Sequence, residues 1–160
     1  MKSFYSCIDA YLSAPQPEQH LLIREKAKKE GGSIVFYGAE EYRSAAAQSF
    51  IIPKLTRTAN LDGVVFFTFN QFRYGEALNI KRMFEILDLG LELHFAREDL
   101  SFRSRDELNE RLDFLLVIDY TKRRDSGDEW EHAVRNTTAG VTARSAVGCE
   151  VGQSGATLSH

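Results

Sequence analysis

Four apolar runs alternating with helix-forming stretches predict an α/β fold, a single three-layer domain around a four-stranded parallel sheet. Three observations carry that prediction. The strand-like runs are separated by helical patterns rather than by hairpin turns. The run Val64-Val65-Phe66-Phe67-Thr68-Phe69 is almost wholly apolar, as a strand buried on both faces must be. Glycine and capping residues fall where the helices should stop and start.

Residues 3–12 read as the first strand, ended by Pro15 and Pro17. Pro17 suits the first turn of a helix, where its missing N–H costs nothing. That helix runs through Leu21, Leu22, Ile23 and Ala27 and is stopped by Gly31-Gly32. Residues 33–37 form the second strand, and a second helix is expected over 44–58, kinked or split by Pro53. Asn60-Leu61-Asp62-Gly63 is turn chemistry leading into the third strand. Ala77, Ile80, Phe84 and Leu87 have the spacing of a third helix, closed by Gly90, and 91–95 form the fourth strand. Ser104-Arg105-Asp106-Glu107 is a capping box opening a fourth helix through Leu108, Leu112, Leu115 and Val117-Ile118. The domain spans 1–124. Residues 125–160 hold scattered Gly, Ser, Thr and Ala without a sustained period and are expected to be a disordered, flexible tail. A short helix around Trp130 and Val134 is the alternative there.

The 160 residues are 43% hydrophobic and 27% charged, with a net charge of −3. A core can form, but the balance supplies no field to hold nucleic-acid phosphates, which argues against a nucleic-acid partner. Cys7 and Cys149 match neither a disulfide framework nor a metal-ligand spacing, so both are expected as free thiols in a reducing cytoplasm. No stretch approaches the roughly 20 apolar residues of a membrane helix, and the N-terminus lacks a signal peptide. A soluble, cytoplasmic protein without metal or cofactor is expected.

In an open parallel sheet, ligands bind beyond the carboxyl ends of the strands, where the strand order reverses. With the order 2-1-3-4, as in flavodoxin-like folds, that point lies between strands one and three. The loops entering the strands are ordinary turns. The loops leaving them carry Ser13, Gln16, Gln19, His20 and Arg24, then Glu40, Glu41, Tyr42 and Arg43, then Asn70, Gln71, Arg73 and Tyr74, then Arg97, Glu98 and Asp99. Amides offer paired donors and acceptors and arginine a fork, so Asn70, Gln71 and Arg73 are candidate ligand-holding groups, with Gln16 and Glu41 on the opposite wall. The competing reading is that Asn70-Gln71 caps the third helix and that Glu40-Glu41 is a solvated acidic loop. Ser13 would be a nucleophile only beside a base. His94, between Leu93 and Phe95, reads as a satisfied strand residue rather than a ligand. There is no Gly-x-Gly-x-x-Gly and no phosphate-binding Gly-Lys-Ser/Thr loop.

The run from Asp62 to Phe72, DGVVFFTFNQF, followed by Glu92 to Leu100, ELHFAREDL, resembles an uncharacterised bacterial family, the sporadic carbohydrate cluster proteins. Pro15-Gln16 to Gln19, Ile23-Arg24 and Glu41-Tyr42 fit the same family, and the resemblance covers roughly residues 5–121. It departs at Ala10-Tyr11, where the family would have a Ser-Arg pair. The resemblance implies a setting in sugar or surface-polysaccharide biosynthesis and no particular reaction. A protein of that setting, accessory or enzymatic, would bind a sugar, a sugar phosphate or a nucleotide sugar.

More distantly, the layout is similar to the catalytic domain of serine recombinases, the resolvases and invertases. Ser13, Gln16 and Gln19 match their nucleophile and the glutamines opening the first helix. Where that family has Asp-Arg-Leu-x-Arg, this chain reads Asn70-Gln71-Phe72-Arg73-Tyr74, so the aspartate and both arginines are replaced. Phosphoryl transfer needs those cations, and no helix-turn-helix pattern follows. The expectation is a shared fold without recombinase activity. A degenerate, nucleic-acid-associated relative and a non-catalytic interaction module, using the fourth helix and tail, are the alternatives.

Overall fold

The computed structural model describes residues 1–10, 12–40, 51–74 and 77–125. Residues Met1–Leu115 form one compact unit, and Leu116–His160 are assigned to a second. In the first unit, strand β1 (Lys2–Asp9) leads into helix α1 (Gln16–Lys29) and strand β2 (Gly32–Glu40). Helix α2 (Ile51–Arg57) and strand β3 (Gly63–Phe66) follow. A 3-10 turn (Phe69–Phe72), a small hairpin of β4 (Arg73–Tyr74) and β5 (Ala77–Leu78), and helix α3 (Ile80–Asp88) come next. Strands β6 (Glu92–Phe95) and β7 (Leu100–Phe102) complete the main sheet, before helices α4 (Arg105–Glu110) and α5 (Leu112–Asp125).

The sheet order is β2-β1-β3-β6-β7. The first four strands are parallel and follow the expected 2-1-3-4 order; β7 runs antiparallel to β6. The fifth strand went unread because three residues, Leu100-Ser101-Phe102, are too short for a period. The four-residue turn 96–99 permits only a hairpin return, since a parallel neighbour needs a longer crossover. Asp99 takes a left-handed φ of 53° there, a conformation aspartate tolerates.

Alternation along the strands splits the core in two. Phe4, Ile8, Val65 and Phe67 pack with Ile23 and Ala27 of α1. On the opposite face Phe66 and Phe95 meet Phe72, Phe69 and Phe102 at ring separations of 4.6–6.4 Å, mostly edge to face. Gly63 is required by packing: a Cβ there would lie 2.6 Å from the Glu92 carbonyl oxygen of the neighbouring strand.

Several boundaries differ from the sequence-based expectation, each for a local reason. The first strand stops at Asp9 because the Gln19 amide takes over that residue's backbone N–H and C=O. The third strand stops at Phe66, because Thr68 caps the 3-10 turn in place of continuing the ladder. Ala77 belongs to the β4–β5 hairpin, and the third helix begins only at Asn79, whose side-chain oxygen accepts from the Arg82 N–H at 3.1 Å. The expected fourth helix is two helices, broken at Arg111, whose N–H turns back to the Leu108 carbonyl at 3.2 Å. Its capping box is offset: Ser104 accepts from the Glu107 N–H, while the Glu107 carboxylate accepts from Arg103 rather than from Ser104. Residues 44–50 of the expected second helix, Glu41, Cys149 and the tail from 126 onward lie outside the described residues.

Candidate functional site

The carboxyl rim between β1 and β3 is the point where the strand order reverses, and two buried glutamines close it. Gln19, fully buried on α1, donates to the Asp9 carbonyl at 3.0 Å and the Ala14 carbonyl at 2.8 Å, and accepts from the Asp9 N–H at 3.2 Å. Gln71, 1% exposed, accepts from the Thr68 N–H at 3.0 Å and donates to the Cys7 carbonyl at 3.2 Å. Each amide uses its donor and its acceptor on backbone, as buried amides must. Gln71 therefore holds the 3-10 turn against β1. Glu98 fastens the same turn from the 96–99 connection: its carboxylate accepts from the Thr68 hydroxyl at 2.7 Å and the Phe69 N–H at 3.2 Å.

Of the nominated residues, Asn70 is half-buried in this turn, where its N–H meets the Thr68 hydroxyl at 3.3 Å, and half-buried Arg73 opens β4. Gln16 is exposed and lies elsewhere, on the first turn of α1. Ser13 is exposed on the loop before it. No described contact joins Gln16 to Asn70, Gln71 or Arg73.

Gln16 instead lines an open recess of about 570 Å³ with Pro17, His20, Arg24 and Tyr37. Residues 16, 20 and 24 follow one another at four-residue spacing and share a helix face. That face looks onto the edge strand β2, where the His20 ring stands edge-on to Tyr37 at 5.6 Å. Tyr37 is 58% exposed. The recess mixes an aromatic surface, a guanidinium, an imidazole and an amide, the composition of a small polar-ligand site. His20 and Tyr37 were not nominated as ligand-holding groups, because their convergence depends on how α1 crosses the edge strand.

A second polar cluster lies on the same sheet face toward β7. His94, fully buried, contacts the Ser101 hydroxyl through Nδ1 at 3.0 Å and Glu92 through Nε2 at 3.2 Å. Ser101 donates to Glu30 at 2.7 Å, and Glu30 pairs with Lys26 at 2.9 Å and Arg103 at 3.0 Å. Lys26 also reaches Asp99 at 2.8 Å, Lys29 pairs with Asp99 too, and Lys2 holds Glu92 at 2.6 Å. Burial pushes the His94 pKa down against the pull of Glu30 and Glu92, leaving the imidazole neutral at pH 7. Burial raises the Glu30 carboxyl, but the Ser101 hydrogen bond and Lys26 outweigh it and hold it at about 2. The hydrogen bonds from Lys26 and Lys29 bring Asp99 to about 2 as well. This cluster ties α1 to β6 and β7, and it agrees with His94 as a satisfied strand residue.

No group of metal-ligating side chains occurs among the described residues, and no described helix is long and apolar enough to cross a membrane. No family model and no curated relative matches the sequence. The fold is similar to the crystal structure of a resolvase family site-specific recombinase from Streptococcus pneumoniae, with a TM-score of 0.55 at 12% identity, covering 86% of this chain and 99% of that one. At that identity the likeness establishes a resolvase-like α/β fold, and activity has to be argued from the site.

Proposed function

We propose that this chain binds a carbohydrate ligand in the recess between α1 and β2, as an accessory or enzymatic protein of carbohydrate biosynthesis. The observation that carries the reading is the recess itself: an exposed tyrosine face beside His20, Arg24 and Gln16 at the edge of the sheet. An aromatic face stacks on a sugar ring or a nucleobase, while the amide and guanidinium bond to hydroxyls and phosphate. The resemblance of residues 62–72 and 92–100 to sporadic carbohydrate cluster proteins supports the class of ligand. Gln16 is the nominated residue the proposal uses directly; Asn70, Gln71 and Arg73 frame the neighbouring rim.

A panel of sugars, sugar phosphates and nucleotide sugars screened by thermal shift tests the proposal. A bound member near 100 times its dissociation constant adds about 2.7 kcal/mol of stability. Tyr37→Ala weakens that member about five- to tenfold, the scale of one aromatic contact, and costs little stability because the ring is exposed. The proposal fails if no compound raises the melting temperature.

The resolvase-like fold favours a second reading, a nucleic-acid-associated relative. Here positions 70–74 lack the cation pattern that phosphoryl transfer requires, and many described surface cations are neutralised by acids, as in Lys29–Asp99 and Arg105–Asp88. Retardation of a DNA duplex at low salt, lost steeply as salt rises, would establish this reading; its absence at low salt removes it.

A further inference from the structure

We infer that the recess selects a phosphorylated sugar, with Arg24 and His20 holding the phosphate and Tyr37 the ring. This rests on the carbohydrate reading and names which derivative the site is built for. The argument is one of charge balance. In the cleft beside β7 carboxylates accompany the cations: Lys26 and Lys29 pair with Asp99, Arg103 pairs with Glu30, and Glu107 and Glu110 line the wall with Arg111. In the cleft beneath α3, Arg105 pairs with Asp88 at 2.7 Å, and Glu85 lines the wall with Lys81. The recess beside β2 differs. Among the described residues no carboxylate lines it, and neither Arg24 nor His20 has an ion-pair partner.

Two buried polar atoms lie behind the recess. The Nδ1 atom of His20 is buried without a hydrogen-bond partner. Ser6, directly across the β1–β2 ladder from Tyr37 and wholly buried, has a hydroxyl without a partner as well. Both atoms are shut off from solvent, so neither faces the recess; the polar groups that line it are Gln16, Arg24, Tyr37 and the rest of the His20 ring. Arg24 presents a planar fork that matches two phosphate oxygens, and it stands one helical turn from His20. A phosphomonoester carries close to two negative charges near neutral pH, so it gains from a cation that no acid among the described residues neutralises. A neutral sugar offers Arg24 nothing comparable. The Nε2 atom of His20, the ring nitrogen that is not buried, completes the phosphate shell or bonds to a ring hydroxyl, and Gln16 remains for the sugar.

Titration calorimetry on the full chain tests this with glucose, galactose and mannose, their 1-phosphates, and inorganic phosphate. At least one hexose phosphate binds ten times tighter than its parent sugar, and the advantage shrinks as salt rises. Arg24→Gln removes the advantage while leaving the weak parent-sugar binding in place. Arg24→Lys restores part of it, keeping the charge without the fork. Lys28→Gln, an exposed cation on the same helix outside the recess, changes nothing. Equal binding of sugars and their phosphates overturns the phosphate inference and leaves the carbohydrate reading standing, as does a phosphate advantage that survives Arg24→Gln. Binding of inorganic phosphate alone, with every sugar derivative no tighter, overturns the carbohydrate reading and keeps only an anion subsite. Absence of binding by every compound overturns both.

Discussion

Phe95→Ala is expected to destabilise the protein by about 3–5 kcal/mol, the range for deleting a buried aromatic ring. Phe95 is fully buried on β6, and its ring meets Phe66, Phe69, Phe72 and Phe102 within 6.4 Å. It joins three pieces of chain: the third strand, the 3-10 turn that closes the rim, and the antiparallel strand β7. Deleting the ring leaves a cavity that four phenylalanines on different elements cannot collapse together. Urea unfolding provides the measurement, with a lowered midpoint at an unchanged slope. Phe95→Leu, which keeps most of the volume, recovers more than half of the loss. An alanine variant within about 1 kcal/mol of the parent would show that the aromatic cluster does not hold the sheet to the turn.

Lys26→Met is expected to cost about 2–3 kcal/mol at pH 7, because it removes the buried cation that Glu30 and Asp99 share and leaves them Arg103 and Lys29, which are exposed. The Lys26 side chain is only 4% exposed and bridges Glu30 and Asp99. Methionine keeps the length and the apolar contacts but removes the charge, and breaking one partner of a buried pair is the costly way to lose it. The sign of the pH dependence follows from Glu30, whose pKa falls from 4.5 to about 2 on folding. A lowered carboxyl contributes stability that is fully present above the unfolded value of 4.5 and is lost as pH falls toward 2, roughly 3 kcal/mol in all. The gap between parent and variant is therefore steady above pH 4.5 and narrows below it. Melting temperatures from pH 7 to pH 2.5 measure this. A gap that stays constant to pH 2.5 would mean that Glu30 does not depend on Lys26.

The parallel direction of the first four strands was legible because each strand run is followed by a stretch with helical spacing, and such crossovers fix the direction of the next strand, though not the order in the sheet. Asn70-Gln71 was legible as a possible cap of the third helix; it lies instead within a 3-10 turn capped by Thr68, a residue the sequence assigns to the strand. The hairpin at 73–78 was masked by Ala77, which fits the helical period of Ile80 and Leu87 equally well. The site was legible in part. Gln16 was nominated as a rim residue, but Gln71, with the same amide, is committed to backbone. An amide's chemistry is identical at both positions, and only burial separates an exposed candidate group from a brace.

Local pattern alone determined that this chain is an α/β protein, that one helix opens around Pro17 and another is capped by Ser104, and that the polar loops gather at the carboxyl ends of the strands. Those properties follow from neighbours in sequence. The tertiary structure decided what depends on distant partners: β7 returning antiparallel, Glu30 sharing Ser101 with His94, and Tyr37 meeting His20 across the edge of the sheet. Residues 71 to 73 positions apart come together only through the packing of α1 on the sheet, and no spacing within a single element records that approach.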